Sequence, residues 1–172
     1  MRAKFAVTVW LALLLSACVS HDVTLSQQDL ASRRNNVNTH GLDCKLPAFA
    51  LVDARPQQGM GMIGSYELLF PDFPIWLQQT LRDVARVDYV TPPLMIEISR
   101  AYVESHPSGH SFQLVIRVRG QAAQTTPWRV YRGNETRMTW LGNADEFAQY
   151  VKHAARIAIS DLLNHEGNCQ QR

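Results

Sequence analysis

From residue 94 onward the chain alternates apolar and polar positions over two long runs. Leu94 to Glu104 and Ser111 to Arg119 read as strands joined by His106-Pro107-Ser108-Gly109-His110, since period-two alternation broken by a Pro/Gly turn marks a hairpin. Facing His106 with His110 sets Ile98 against Val118, Tyr102 against Leu114 and Glu97 against Arg119. Arg100 then falls on the core side, a misfit that a bulge near Ser99 or an arginine reaching the sheet rim resolves. Upstream, Ala48 to Val52 suits a buried strand ended by the turn Asp53-Ala54-Arg55-Pro56. Asp72 can cap a helix starting near Phe73, with Leu77, Leu81, Val84 and Ala85 on one side and Pro74 tolerated in the first turn. A last helix opens on the capping pair Asn143 and Glu146 and carries Phe147, Val151, Ala154, Ala158 and Leu162 on one face to about Asn164.

Between the hairpin and that helix, Pro127 to Arg132 reads as a further strand. Gly133 and Asn134 resemble a hairpin turn, and a three-residue loop over 133 to 135 would pair Val130 with Met138 and Trp128 with Trp140. An irregular segment from Gly133 to Gly142 is the alternative. The elements order as β-α-β-β-β-(β)-α. That order predicts an α+β two-layer sandwich, with two helices packed on one face of a mainly antiparallel four- to five-stranded sheet.

The N-terminus changes the picture of where this domain works. Arg2 and Lys4 precede an apolar run from Phe5 to Leu14, and Leu15-Ser16-Ala17-Cys18 closes it with small residues before a cysteine. This is the order of an export signal, and the run is too short to span a bilayer, which takes about 20 residues. Leu-Ser-Ala-Cys resembles a bacterial lipobox. By that resemblance residues 1–17 are removed, Cys18 carries the acyl chains, and Val19 in place of Asp directs the protein to the outer membrane, facing the periplasm. Residues 18–43, rich in Ser, Gln, Asn and Asp, then read as a flexible tether spanning about 25–30 Å, and 44–172 as a single periplasmic domain.

Loss of Arg2 and Lys4 leaves fifteen basic and fifteen acidic residues on the mature chain. Such a balance argues against a nucleic-acid partner. Of three cysteines, Cys18 belongs to the lipid, so Cys44 and Cys169 are expected to form a disulfide in an oxidising compartment.

Candidate chemistry is thin. Gly59-Met60-Gly61-Met62-Ile63-Gly64 spells G-x-G-x-x-G, but the extended segment after it would not open a helix onto a pyrophosphate, so it reads as a flexible glycine loop and no nucleotide is expected. Asp53 and Arg55 at a strand end read as a structural pair before a catalytic one. His106 and His110 beside the turn, and His153 on the last helix, do not compose a metal site, and G-x-S-x-G is absent. No catalytic residue, metal or cofactor is expected.

The sheet face away from the helices is the better candidate. In the register above it shows Met95, Glu97, Ala101, Val103, Val115, Arg117, Arg119, Arg129 and Tyr131, a half-apolar, arginine-rich mixture typical of interaction surfaces. An ordinary solvated face, or one covered by the tether, has the same composition.

The lipobox Leu15 to Cys18, the strand ending in Asp53-Ala54-Arg55, the helix Ile75-Trp76-Leu77-Gln78-Gln79-Thr80-Leu81, and Pro93-Leu94-Met95-Ile96-Glu97-Ile98 leading to Ala101-Tyr102-Val103 together resemble the YajG-like family of bacterial lipoproteins, over roughly residues 47–163. That resemblance implies an outer-membrane lipoprotein and supplies no catalytic residues; Cys44 and Cys169 are not part of its pattern. The expected function is a lipid-anchored, non-catalytic binding or scaffolding module of the cell envelope. Its partner would be an envelope protein or an anionic envelope polymer, met through Glu97, Arg117, Arg119, Arg129 and Tyr131. An accessory of an ABC-type lipid transport system, and an envelope enzyme using Asp53 and the glycine loop, are the competing expectations.

Overall fold

A computed structural model describes residues 21–31, 42–121 and 126–171, so Cys18 lies outside the described residues. In chain order the elements are β1 (His21–Thr24), α1 (Gln27–Ala31), β2 (Leu42–Pro47), β3 (Phe49–Asp53), β4 (Gly59–Ile63), β5 (Tyr66–Leu69), α2 (Phe73–Val84), β6 (Arg86–Asp88), β7 (Leu94–His106), β8 (Gly109–Gly120), β9 (Arg129–Arg137), α3 (Ala144–Glu166) and β10 (Asn168–Gln171). Ten strands in three sheets make the described protein mainly β, and the expected two-layer sandwich with one sheet of four to five strands is not what forms. The largest sheet runs β3-β7-β8-β9; two smaller ones run β1-β5-β4 and β10-β2-β6. The additional sheets arise from short strands of three to six residues, whose alternation is too brief to show in sequence.

The hairpin β7–β8 forms, with its register one step from expectation at the turn and two steps before the bulge. His106 pairs with Gly109, closing a tight turn over Pro107 and Ser108, and across the bulge Glu97 meets Arg117 and Ile98 meets Ile116. A register shift between Ile98 and Arg100 places the bulge at Ser99. Because a bulge reverses the side-chain phase beyond it, Ala101 and Val103 join Ile96 and Ile98 in the core and Arg100 turns out to solvent.

Strand β9 corrects the sequence reading most. Gly133-Asn134 is not a turn: β9 runs unbroken from Arg129 to Arg137 beside β8, with Tyr131 opposite Ile116 and Gly133 opposite Leu114. The glycine is there for another reason. A Cβ added at Gly133 would lie 1.7 Å from the Ala154 carbonyl oxygen, so α3 rests its backbone directly on the strand. Buried Ala154, Ala155 and Ala158 give the helix the flat face that such an approach requires.

Beyond the bulge, β4, which belongs to a separate sheet, lies close against β7. Gly61 stands at φ +95°, where a Cβ would come within 2.8 Å of the Val103 carbonyl oxygen. The glycine run is thus a strand and a hairpin turn, with Gly64 at φ +59° leading into β5, and not a flexible loop.

Part of the stretch read as a tether is also folded. Strand β1 pairs in parallel with β5, Val23, Leu25 and Leu30 are buried, and Ser26 donates from its backbone N–H and its hydroxyl to Asp29 Oδ2 at 2.8 Å each. Helix α2 begins at Phe73 as expected, although Asp72 makes no side-chain cap. Helix α3 opens on Asn143, whose Oδ1 accepts the Glu146 amide at 2.9 Å. One core joins all of this, with Phe70, Phe73, Phe112, Phe147 and Tyr150 among its largest side chains.

Candidate functional site

The face of the main sheet opposite α3 is ordered in rows by strand pairing. One row reads Val52, Glu97, Arg117, Val130; the next reads Arg100, Val115, Arg132. Arg117 binds Glu97 through Nε at 3.0 Å and again through Nη2. Trp128, just ahead of β9, offers its ring to two cations: the guanidinium carbons of Arg117 and Arg119 lie 5.1 and 4.4 Å from its centroid. Arg119 also points Nη2 at Met95 Sδ, 3.8 Å away. Arg100 and Arg132 are exposed on either side of Val115 and have no ion-pair partner among the described residues. Four arginines thus share a face with Glu97 and Glu104. Charge on this face is in positive excess, whereas the whole sequence carries a formal net charge of only +2.

Of the five partner-binding candidates, Glu97, Arg117 and Arg119 are brought together here. Arg129 and Tyr131 are not. Both turn to the helix side, where Glu166, its side chain 4% exposed, accepts from Arg129 Nη2 at 2.5 Å and from the Tyr131 hydroxyl. An acidic residue in the last turn of a helix opposes the macrodipole; the arginine and the phenol offset that and pin the end of α3 to the start of β9. Burial, and then the Glu166 carboxylate, push the Tyr131 hydroxyl well above its ordinary pKa. Ala101 and Val103, also expected on the open face, are in the core. Sequence reading missed Trp128, Arg100 and Arg132 as members of this surface. The signal for Arg100 was its own misfit on the core side, and Arg132 follows from alternation once β9 is read straight through Gly133.

The remaining candidates are held by local bonds. Asp53 receives Arg55 as a fork, Nε to Oδ1 and Nη2 to Oδ2 at 2.8 Å each, while the arginine side chain, 1% exposed, lies over the Phe73 ring at 5.4 Å. His106 Nε2 lies 3.1 Å from Ser111 Oγ and His110 Nδ1 lies 3.1 Å from Ser105 Oγ; His153 sits between Arg156 and Glu135.

The Asp53 fork carries a pH signature. The hydrogen bond from Arg55 holds the carboxyl below its ordinary value near 3.8. A depressed folded pKa gives stability that is present above the unfolded value and is lost as pH falls through the folded one. Asp53→Asn should therefore cost roughly 1–2 kcal/mol at pH 7 and flatten the loss of stability below about pH 4. Urea titrations of both proteins at pH 7 and pH 3 read this directly; parallel curves at the two pH values would remove the fork from the acid limb.

Cys44 and Cys169 are disulfide-bonded, directly opposite each other in the β2–β10 ladder with Cα atoms 4.0 Å apart. No helix among the described residues is long and apolar enough to cross a membrane. No protein-family model, curated protein or solved structure matches the chain.

Proposed function

We propose that this protein is a lipid-anchored, non-catalytic docking module of the bacterial outer membrane, and that it captures an envelope protein through the open face of its main sheet. The lipobox-like Leu15 to Cys18 supports the address. The pair Arg100 and Arg132, exposed across Val115 with no carboxylate partner among the described residues, carries the docking reading. Side chains that need a counter-charge and are given none internally are available to a partner's acidic groups. Beside them, exposed Val52 and Val130 and the Trp128 platform supply apolar and aromatic area. Aromatic and arginine side chains among apolar neighbours are the usual anchors of protein interfaces; an anionic polymer would need only the charge.

Because Arg117 is already paired, Arg100→Glu with Arg132→Glu is the cleaner variant. A photo-crosslinking residue at Val130 in the membrane-bound protein should yield a discrete protein adduct that the double variant loses by tenfold or more, since reversing two contacting charges costs several kcal/mol. An adduct unchanged by the reversal, or polysaccharide in its place, would overturn the reading.

A further inference from the structure

The short reach between the expected anchor and the first strand decides how the protein sits on its membrane. His21 is fixed in place: its amide donates to the Ser65 carbonyl at 2.8 Å, and it pairs with Tyr66, whose ring lies 5.7 Å from its own. Cys18 precedes it by three residues, and three residues of fully extended chain span at most about 11 Å. If Cys18 carries acyl chains, His21 and the β4–β5 turn beside it are therefore held within about 11 Å of the anchored residue, close to the headgroup region of the bilayer.

That end of the molecule also leaves several large apolar side chains in solvent. Met62, in β4, is 52% exposed, and its carbonyl accepts from Ser105 Oγ at 3.3 Å. Ser105 pairs with His110 and His110 with Arg137, which sets Met138, 82% exposed, beside the β7–β8 turn. Leu141, 78% exposed, precedes Gly142, where a Cβ would touch the Tyr66 ring at 3.0 Å. Met62, Met138 and Leu141 thus ring the start of β1. Of the carboxylates at this end, Glu104 accepts from Gln113 Nε2 at 2.7 Å and Glu146 from the Leu141 amide at 2.6 Å, while Glu67, opposite both Met62 and Asp22 in the β1–β5–β4 ladder, marks the polar flank of the patch.

We infer that this end is a second membrane contact, in which Met62, Met138 and Leu141 enter the headgroup boundary of the leaflet that holds the Cys18 acyl chains. Resting on the lipoprotein reading above, the inference replaces a domain on a long tether with one seated on the bilayer. Apolar side chains at the interface add their own burial to that of the acyl chains. Helix α3 starts at this end and, at 23 residues, runs about 35 Å away from it. Its far end lies with Glu166, Arg129 and the disulfide, so the arginine face stands upright between membrane and periplasm.

Nitroxide labels on Met138→Cys and, as the control, on Tyr89→Cys test this in the full-length lipoprotein reconstituted in phosphatidylethanolamine–phosphatidylglycerol vesicles. Tyr89 is 83% exposed in the β6–β7 connection, and β7 begins at the far end of the sheet. The Met138 label should show a several-fold higher ratio of oxygen to nickel-chelate collisions than the Tyr89 label. Equal, water-like ratios with intact mass showing acylated Cys18 would overturn the membrane contact and leave the lipoprotein reading standing. Burial of the Met138 label in native membranes but not in these vesicles would assign the patch to a protein neighbour and overturn it as well. Unacylated Cys18 would sink both.

Discussion

Replacing Gly133 with alanine should destabilise the protein by about 4 kcal/mol, near the upper limit for a single methyl group. The added Cβ would stand 1.7 Å from the Ala154 carbonyl oxygen and 2.6 Å from its carbon. Those are backbone atoms of a 23-residue helix, and no rotamer change relieves the contact. Relief requires α3 to lift off β9, and lifting it opens the layer where Phe147, Val151, Ala158 and Leu162 meet Phe112, Leu114 and Tyr131. It also stretches the bonds from Arg129 and Tyr131 to Glu166. For a domain of this size the midpoint of thermal unfolding should fall by roughly 10 °C. Gly120→Ala is the matched control, because nothing lies within 4 Å of a Cβ there; it should change stability by less than about 0.5 kcal/mol. Equal midpoints for the two variants would mean that α3 does not rest on Gly133.

The same glycine shows why the sequence was legible only in part. Period-two alternation located β7 and β8, and the 3.6-residue spacing of Phe147, Val151, Ala154, Ala158 and Leu162 located α3 and its buried face, because those signals are local and long. Gly133-Asn134 carries an equally local turn signal, yet a tertiary contact with Ala154 set its conformation, and tertiary context overrides short-range propensity. Phase errors followed from single residues. One bulge at Ser99 moved Ala101 and Val103 into the core and Arg100 out of it, and reading β9 as half a hairpin put Tyr131 on the open face when its hydroxyl is tied to Glu166. Of the candidate surface, Glu97, Arg117 and Arg119 were legible because they precede the bulge in β7 or lie on its undisturbed partner β8. Strands β1, β2, β6 and β10 have three to six residues each, too few for alternation to separate them from loops.

Removing the disulfide should have the second large effect, and its cause is chain entropy before contact loss. Cys44 and Cys169 are 125 residues apart in sequence, and cross-linking so long a loop can destabilise the unfolded chain by up to about 5 kcal/mol in the loop-entropy account. The double variant Cys44→Ala with Cys169→Ala should therefore lose roughly 3–5 kcal/mol, and added reductant should leave its stability unchanged while lowering that of the native protein. Location adds a local effect. Strand β10 has four residues and is bonded only to β2 among the described strands, so amide exchange should speed up first at 168–171 and then along β2. Cys44 is buried, and β2 also pairs with β6; fraying that begins at β10 thus reaches the parallel contact that leads through Ala48 to β3 and the main sheet. Oxidised and reduced protein unfolding at the same urea concentration would rule out the entropic role. Equal exchange rates at 168–171 in the two forms would show that the ladder to β2 holds β10 without the covalent bond.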